Sequence, residues 1–205
     1  MAKDNDAREK IAYFIFEGDT EDVFFKSVLD KYLDRGIKRK YKNLETGSGI
    51  NNAVASYLHY FLRENSDKSV YAYVFIDREG SRSKMPEFNG KLIKSELDRS
   101  LGKTGLNRVG KIEAVQMIES WFFHDLEGIC KYIGIPYTDS LQRNYANPEM
   151  FTSRDLAKLF TKGEKKKHYK KGDKGFLDKL NIEKIYENCK DLKEGIEMIN
   201  RDFAG

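Results

Sequence analysis

Two uninterrupted apolar segments, each closed by an acidic residue and a glycine, constrain the fold of this chain more than any other feature. Residues 11–16 read Ile-Ala-Tyr-Phe-Ile-Phe, and residues 70–76 read Val-Tyr-Ala-Tyr-Val-Phe-Ile. A strand with one wet face alternates apolar and polar side chains, whereas a strand covered on both faces is apolar throughout. Both segments therefore predict buried strands of a parallel sheet.

Helical patterns separate and follow these strands. Apolar side chains recur at helical spacing over residues 24–33, 50–62 and 88–101. We further predict a short strand near residues 40–45 and a strand over residues 111–118, with a loop between residues 102 and 107. Strands that alternate with helices indicate βαβ units with right-handed crossovers. The predicted fold class is α/β, a largely parallel Rossmann-like sheet flanked by helices.

The sequence pattern changes near residue 134. Pro136, Pro148 and many polar residues come first, a lysine-rich stretch follows, and helical apolar stripes return from about residue 182. We predict an α/β domain over residues 8–133 and a C-terminal helical extension with a lysine-rich loop over residues 134–205.

Positive charge is concentrated in one segment. The chain carries 37 Lys and Arg against 33 Asp and Glu, a mild excess that accommodates a polyanion without requiring one. Residues 162–171 hold six lysines and one glutamate. Such a block is either a solvated loop or a phosphate-binding surface. On the second reading, nucleic acid contacts Lys165, Lys166, Lys167 and His168.

Several classes of protein are excluded. The apolar segments are far shorter than the roughly 18 residues that a membrane-spanning helix needs. The polar N-terminus lacks the apolar core of a secretory signal, so we expect a cytoplasmic protein with no membrane contact. Cys130 and Cys189 show no CxxC or Cys/His spacing and are predicted to be buried thiols.

Carboxylates follow three of the predicted strands. Glu17 ends the first strand, Asp77 and Glu79 end the second, and Glu119 ends the third. The functional crevice of an open parallel sheet lies at the carboxyl ends of its strands. Singly, each residue could face solvent or cap a helix, but four converging carboxylates repel one another unless a cation binds them.

The cation that such a cluster favours is Mg²⁺, or Mn²⁺ in its place, because hard cations prefer oxygen ligands. One ion or a pair fits the number of carboxylates, and the chemistry that follows is phosphoryl transfer. Gly47, Ser48 and Gly49 precede a predicted helix, where backbone N–H groups can hold a phosphate; a simple turn is the alternative.

At these residues the sequence resembles a known family. Residues 14–21, Phe-Ile-Phe-Glu-Gly-Asp-Thr-Glu, resemble the first motif of the Toprim domain shared by topoisomerases, bacterial primases and overcoming-lysogenisation-defect nucleases. Residues 75–79 stand where that family has Asp-x-Asp, with Glu79 in the second position. Residues 118–122 and 169–171 are similar to Glu-x-Trp and Tyr-Lys segments of a small Toprim-like branch. Members of that branch often lie beside ATPase genes in prokaryotic defence loci.

The resemblance implies roles for individual carboxylates. Glu17 would bind metal and assist proton transfer, and Asp77 and Glu79 would be the metal ligands of the second motif. Glu119 stands where nuclease-type relatives supply a further carboxylate. Because glutamate is longer than aspartate, Glu79 could change which metal site is filled.

The resemblance also implies a function. Lys170 or Lys171 would neutralise charge on the phosphoryl oxygens. A magnesium-dependent nuclease or phosphoesterase, acting on nucleic acid in phage defence, is the leading hypothesis. A non-catalytic module that binds nucleic acid or an ATPase partner is the first alternative, and phosphoryl transfer on a small nucleotide is the second. The polymer, the trigger and the formation of a homo-oligomer stay open.

Overall fold

A four-stranded parallel sheet lies at the centre of the fold. The structure is a computed structural model that describes residues 8–45, 49–78, 87–102, 104–163 and 168–204. Within these residues the strands are β1 (Lys10–Phe16), β2 (Lys38–Asn43), β3 (Ser69–Asp77) and β4 (Leu106–Ala114). Their order is β2-β1-β3-β4, and all neighbours are parallel. The predicted α/β class is therefore confirmed, and the architecture is consistent with a Rossmann-like or Toprim-like fold.

Three helices alternate with the strands, and seven follow β4 in the described part of the chain. The first three are α1 (Asp19–Tyr32), α2 (Ile50–Glu64) and α3 (Gly90–Leu101). The others are α4 (Ile118–Phe122), α5 (Leu126–Ile133), α6 (Asp139–Asn144), α7 (Ser153–Phe160), α8 (Lys174–Leu177), α9 (Ile182–Asn188) and α10 (Lys190–Phe203). Short 3₁₀ turns occupy Phe123–Asp125 and Pro148–Met150.

Helices cover both faces of the sheet, which explains why β1 and β3 are apolar throughout. Successive side chains of a strand point to opposite faces. Tyr13 and Ile15 pack in one apolar core with residues of α2 and α3. Phe14 and Phe16 pack in the other core, which α1 forms together with helices of the C-terminal half.

The strand predicted over residues 111–118 is wrong in its bounds. β4 spans Leu106–Ala114, so the loop predicted up to residue 107 ends earlier, and Ile118 begins α4. Val115 extends the apolar pattern of the strand but is 41% exposed. The Ile118 N–H donates to the Asp77 carboxylate (2.8 Å), so a residue 41 positions away fixes the start of this helix. No local pattern in the sequence records that contact.

The described residues after 133 form helices, as predicted for the C-terminal extension, and the last helix lies against β4. A Cβ atom on Gly195 of α10 would lie 2.7 Å from the Ile112 side chain of β4. The backbone of α10 therefore packs directly against that side chain. Asp202 accepts a hydrogen bond from the Tyr73 hydroxyl and forms an ion pair with the Arg108 Nε, each at 2.7 Å. The boundary at residue 133 stays a prediction.

Two further expectations concern membrane spans and thiols. In the part of the chain that the structure describes, no helix combines the length and apolarity needed to cross a bilayer. Cys130 and Cys189 are buried and unpaired, as predicted. Burial raises their thiol pKa values to about 11 and about 12, which keeps both thiols protonated at neutral pH.

Candidate active site

Three separate segments bring carboxylates to the carboxyl edge of the sheet. Glu17 directly follows β1, and Asp77 is the last residue of the neighbouring β3. The Asp77 backbone N–H donates to the Glu17 carboxylate at 3.1 Å. The Asp77 carboxylate in turn accepts from the first N–H of α4, the helix whose second residue is Glu119. These contacts hold Glu17, Asp77 and Glu119 together at this edge of the sheet, the place expected for the crevice of a parallel sheet.

Glu119 is the most deeply buried of these carboxylates, with 1% of the residue exposed. Its Oε1 accepts a hydrogen bond from the Tyr169 hydroxyl at 2.7 Å. Its Oε2 is buried, and no described residue donates a hydrogen bond to it. A buried carboxylate oxygen without a donor is costly, because the charged form has lost its hydration.

A fourth carboxylate, Glu21, belongs to the same group, although the sequence reasoning did not select it. Glu21 is 7% exposed, and burial raises its pKa to about 7, with further contributions from the charges of Glu119 and Glu17. The positive charge of Lys171 lowers the pKa of Glu21. The signal was available in the sequence: Glu21 stands three and four residues before Phe24 and Phe25, on the buried stripe of α1.

Asp77 also experiences the combined negative charge. Loss of hydration raises its pKa well above the usual range, and the charges of Glu21, Glu119 and Glu17 add to that effect. The hydrogen bond from the Ile118 N–H opposes it. The four carboxylates therefore act on one another electrostatically, which is the repulsion expected of a shared acidic crevice.

The segment that carries Tyr169 is fixed against the start of α1. The Gly172 N–H donates to Thr20 Oγ1 at 3.0 Å. Gly172 has a φ of +68°, and a Cβ there would lie 2.8 Å from the Asp19 Cβ, so this close approach requires glycine. Lys171 is thereby held near Glu21.

Other predicted site residues have different surroundings. Lys170, Lys171 and His168 are exposed. Gly49 is the N-cap of α2, with a left-handed φ of +72°. The remaining predicted residues lie outside the described part of the chain: Glu79, Gly47, Ser48, Lys165, Lys166 and Lys167.

Asp125 follows Glu119 by six residues and has a structural role of its own. It is 3% exposed and accepts hydrogen bonds from the backbone N–H groups of Gly128 (3.2 Å) and Asn181 (2.8 Å). It thus caps α5 and joins it to the segment before α9. Trp121 and Phe122 are buried in the core.

The donor set of the crevice suits a hard divalent cation in its chemistry, because all four residues offer carboxylate oxygens and one oxygen lacks a donor. Among the described residues, however, no three Asp, Glu, His or Cys side chains are grouped closely enough to hold an ion as they stand. Glu79, predicted with Asp77 as a ligand of the second motif, lies outside that set.

Comparison with family models identifies the domain. The model for Domain of unknown function (DUF4276) matches residues 16–197. The chain belongs to the DUF4276 family. The match begins one residue before Glu17 and reaches into α10, so the DUF4276 domain includes Glu21, Asp77, Glu119 and Tyr169. The comparisons with curated proteins and with solved structures gave no match.

Proposed function

We propose that this DUF4276 chain is a divalent-metal-dependent phosphoesterase that cleaves phosphodiester bonds of nucleic acid. The observation that carries the proposal is the buried Glu119 Oε2, which lacks a donor within a group of four mutually repelling carboxylates. Isolated buried carboxylates cost several kcal/mol each unless they are paired or bound to a cation. A bound cation would offset the free-energy cost of burying these carboxylates, which explains why they lie together.

Mg²⁺ or Mn²⁺ would be held by Glu17, Asp77 and Glu119, together with Glu21 and the predicted ligand Glu79. When bound, such a cation supplies Lewis-acid stabilisation of the charge that develops on phosphoryl oxygens. The hydrogen bonds to the ligands are in place beforehand: the Asp77 N–H orients Glu17, the Ile118 N–H orients Asp77, and Tyr169 orients Glu119.

Two further residues of the chain act on the charge of the site. Without a cation the pKa of Glu21 is about 7, and a bound cation would lower that pKa, so metal binding near neutral pH would release a proton from Glu21. The ammonium group of Lys171 lowers the pKa of Glu21. It would face a phosphoryl group in the crevice and neutralise the charge on its oxygens. Lys170 is adjacent to it and exposed.

The test measures cleavage of end-labelled single-stranded DNA, RNA and duplex DNA in Mg²⁺, in Mn²⁺ and in EDTA. We expect cleavage only with metal, and we expect Asp77→Asn and Glu119→Gln to lower its rate by about 100-fold. Both substitutions keep the side-chain shape and remove the charge. A panel of nucleotides with Mg²⁺ in the same assay detects small-molecule phosphoryl transfer instead.

Glu96→Gln provides the matched control, because it removes an exposed carboxylate on α3. Its cleavage rate should equal that of the wild type. Cleavage in EDTA, or undiminished cleavage by both crevice variants, contradicts the proposal. Nucleic acid binding without cleavage under any metal condition favours the non-catalytic module.

The resemblance to the Toprim-like branch extends the proposal to cellular context. It supports an ATPase partner, a role in prokaryotic defence and a cytoplasmic location. Affinity purification of the tagged chain from cells that express a neighbouring ATPase gene tests the partner, and recovery of the chain without any ATPase speaks against it.

A further inference from the structure

The edge strand β2 carries a row of lysines on one side. Lys38, Lys40 and Lys42 alternate along it, and their partners in β1 belong to the core that α2 covers. Because strand side chains alternate between faces, the three lysines lie on the α2 side of the sheet, about 6.6 Å apart along the strand. If α2 covered these positions of β2, we would expect apolar residues there. The three lysines therefore indicate that this edge of the sheet is not covered by the helix.

Aromatic rings of α2 lie beside these lysines. The Lys42 Nζ is 4.2 Å from the centre of the Tyr57 ring, and a cavity of about 430 Å³ lies between Lys40 and Phe61. Tyr57 is 38% exposed. We call the surface formed by Lys40, Lys42 and Tyr57 the β2 shelf.

Two of the lysines keep their charge available. Lys38 forms an ion pair with Glu9, whereas neither Lys40 nor Lys42 has a carboxylate partner within the described residues. Glu64 lines the same cavity as Lys40 without pairing with it. The charge of the shelf is therefore positive and solvent-accessible, as contact with a phosphate backbone requires.

The shelf leads to the carboxylate crevice. β2 ends at Asn43, which is paired with Phe16, the residue before Glu17. The Asn43 side chain also donates to Asp19 at 2.8 Å. A strand of polymer that follows the lysines toward the end of β2 therefore arrives one strand away from the proposed reacting centre.

We propose that the β2 shelf binds single-stranded nucleic acid and guides it into the crevice, with phosphates on Lys40 and Lys42 and a base stacked on Tyr57. This inference rests on the proposed phosphoesterase function and names its substrate class. Exposed rings stack on unpaired bases, whose faces a duplex hides, and successive phosphates match a row of cations. A second copy of the chain pairing with the edge strand would be discouraged by the lysines.

The experiment measures binding of a fluorescent 20-nucleotide oligothymidine, a matched RNA and a matched duplex by anisotropy in EDTA, so that cleavage does not interfere. Log affinity decreases linearly with log salt concentration. In the double variant Lys40→Glu/Lys42→Glu, we expect this negative slope to become shallower by about 1.4 for the single strands, because two phosphate contacts are lost. Tyr57→Leu should weaken binding about fivefold or more, and Tyr57→Phe should bind as the wild type does.

The control is Lys91→Glu/Arg99→Glu, which makes the same charge change on exposed residues of α3. Thermal melts verify that every variant folds. Unchanged salt dependence in the β2 variant, the same loss in the α3 variant, or preferential binding of the duplex overturns the proposal. Cleavage is then assayed separately with Mg²⁺. Normal cleavage by the β2 variant overturns the shelf alone, whereas shelf-dependent binding without any metal-dependent cleavage overturns the phosphoesterase alone.

Discussion

The hydroxyl of Tyr169 determines how Glu119 is presented. It donates to Oε1, so Oε2 is the oxygen that is left without a donor. Replacing Tyr169 by Phe removes the donor and leaves both carboxylate oxygens unsatisfied. We expect the free energy of unfolding to fall by about 1–3 kcal/mol in urea denaturation with EDTA. We also expect a 10- to 100-fold loss of Mg²⁺ affinity by titration calorimetry.

Tyr137→Phe is the matched control, because the same hydroxyl is removed from an exposed tyrosine. It should leave stability and Mg²⁺ affinity unchanged. If Tyr169→Phe lowers stability without any change in Mg²⁺ affinity, the tyrosine supports the fold and has no part in presenting Glu119.

Glu21 makes stability depend on pH in a direction opposite to that of a paired acid. Its pKa rises from an ordinary 4.5 to about 7 in the native state, so the native state holds the proton more tightly than the unfolded chain. Stability therefore falls as pH rises from 4.5 to 7, by at most about 3 kcal/mol. In EDTA, Glu21→Gln should show a shallower decline over that range and exceed the wild type in stability at pH 8.

Urea denaturation at intervals between pH 4.5 and pH 8 measures this effect. The exposed-carboxylate variant Glu96→Gln should follow the wild-type curve. Parallel curves for Glu21→Gln and the wild type would show that the burial of Glu21 has no energetic consequence.

At the scale of elements, the contact of α10 with β4 depends on Gly195. Since a Cβ there already approaches Ile112 to 2.7 Å, a larger side chain must push the helix from the sheet. We expect Gly195→Val to lower the free energy of unfolding by about 2 kcal/mol, the range of overpacked cores. Glu194→Val places the same residue on the outward side of the helix and should cost much less. Equal losses in thermal denaturation would contradict the close contact.

Strands β1 and β3 could be predicted from the sequence because burial on both faces requires an uninterrupted run of apolar residues. The ends of β4 could not be located from such a run. Its middle faces solvent in part, and the helix that follows starts where Asp77 supplies a cap from another strand. Patterns of periodicity report the local environment of a segment, and that cap is a contact between distant segments.

The same distinction holds for the crevice. Glu17 and Asp77 were selected because strand ends are recognisable in the sequence. Glu21 was missed because a carboxylate on an apolar helix stripe becomes meaningful only when the neighbouring charges are known. The hydrogen bond of Tyr169 to Glu119 joins residues 50 positions apart, and no spacing rule relates them.

For the whole molecule, the C-terminal extension, residues 134–205, completes one of the two apolar cores. Twelve buried apolar residues of that core lie after residue 133 within the described chain, among them Phe160, Phe176 and Leu192. They belong to the same core as Phe14 and Phe24, which are part of the predicted α/β domain. Tyr169, which orients Glu119, also comes from the C-terminal extension. The core and the crevice therefore both depend on residues from the α/β domain and the extension.

A fragment of residues 8–133 should consequently fail to fold alone. At about 1.5–3 kcal/mol for each buried side chain, the missing contacts exceed the 5–15 kcal/mol by which a typical domain is stable. We expect no cooperative transition in thermal or urea denaturation of the fragment, and strong binding of a dye specific for exposed apolar surface. Adding a fragment of residues 134–205 in trans should restore part of the transition, because the two pieces share one core. A cooperative transition of the first fragment alone, at the midpoint of the full chain, would contradict this expectation. It would show that residues 134–205 contribute little to stability.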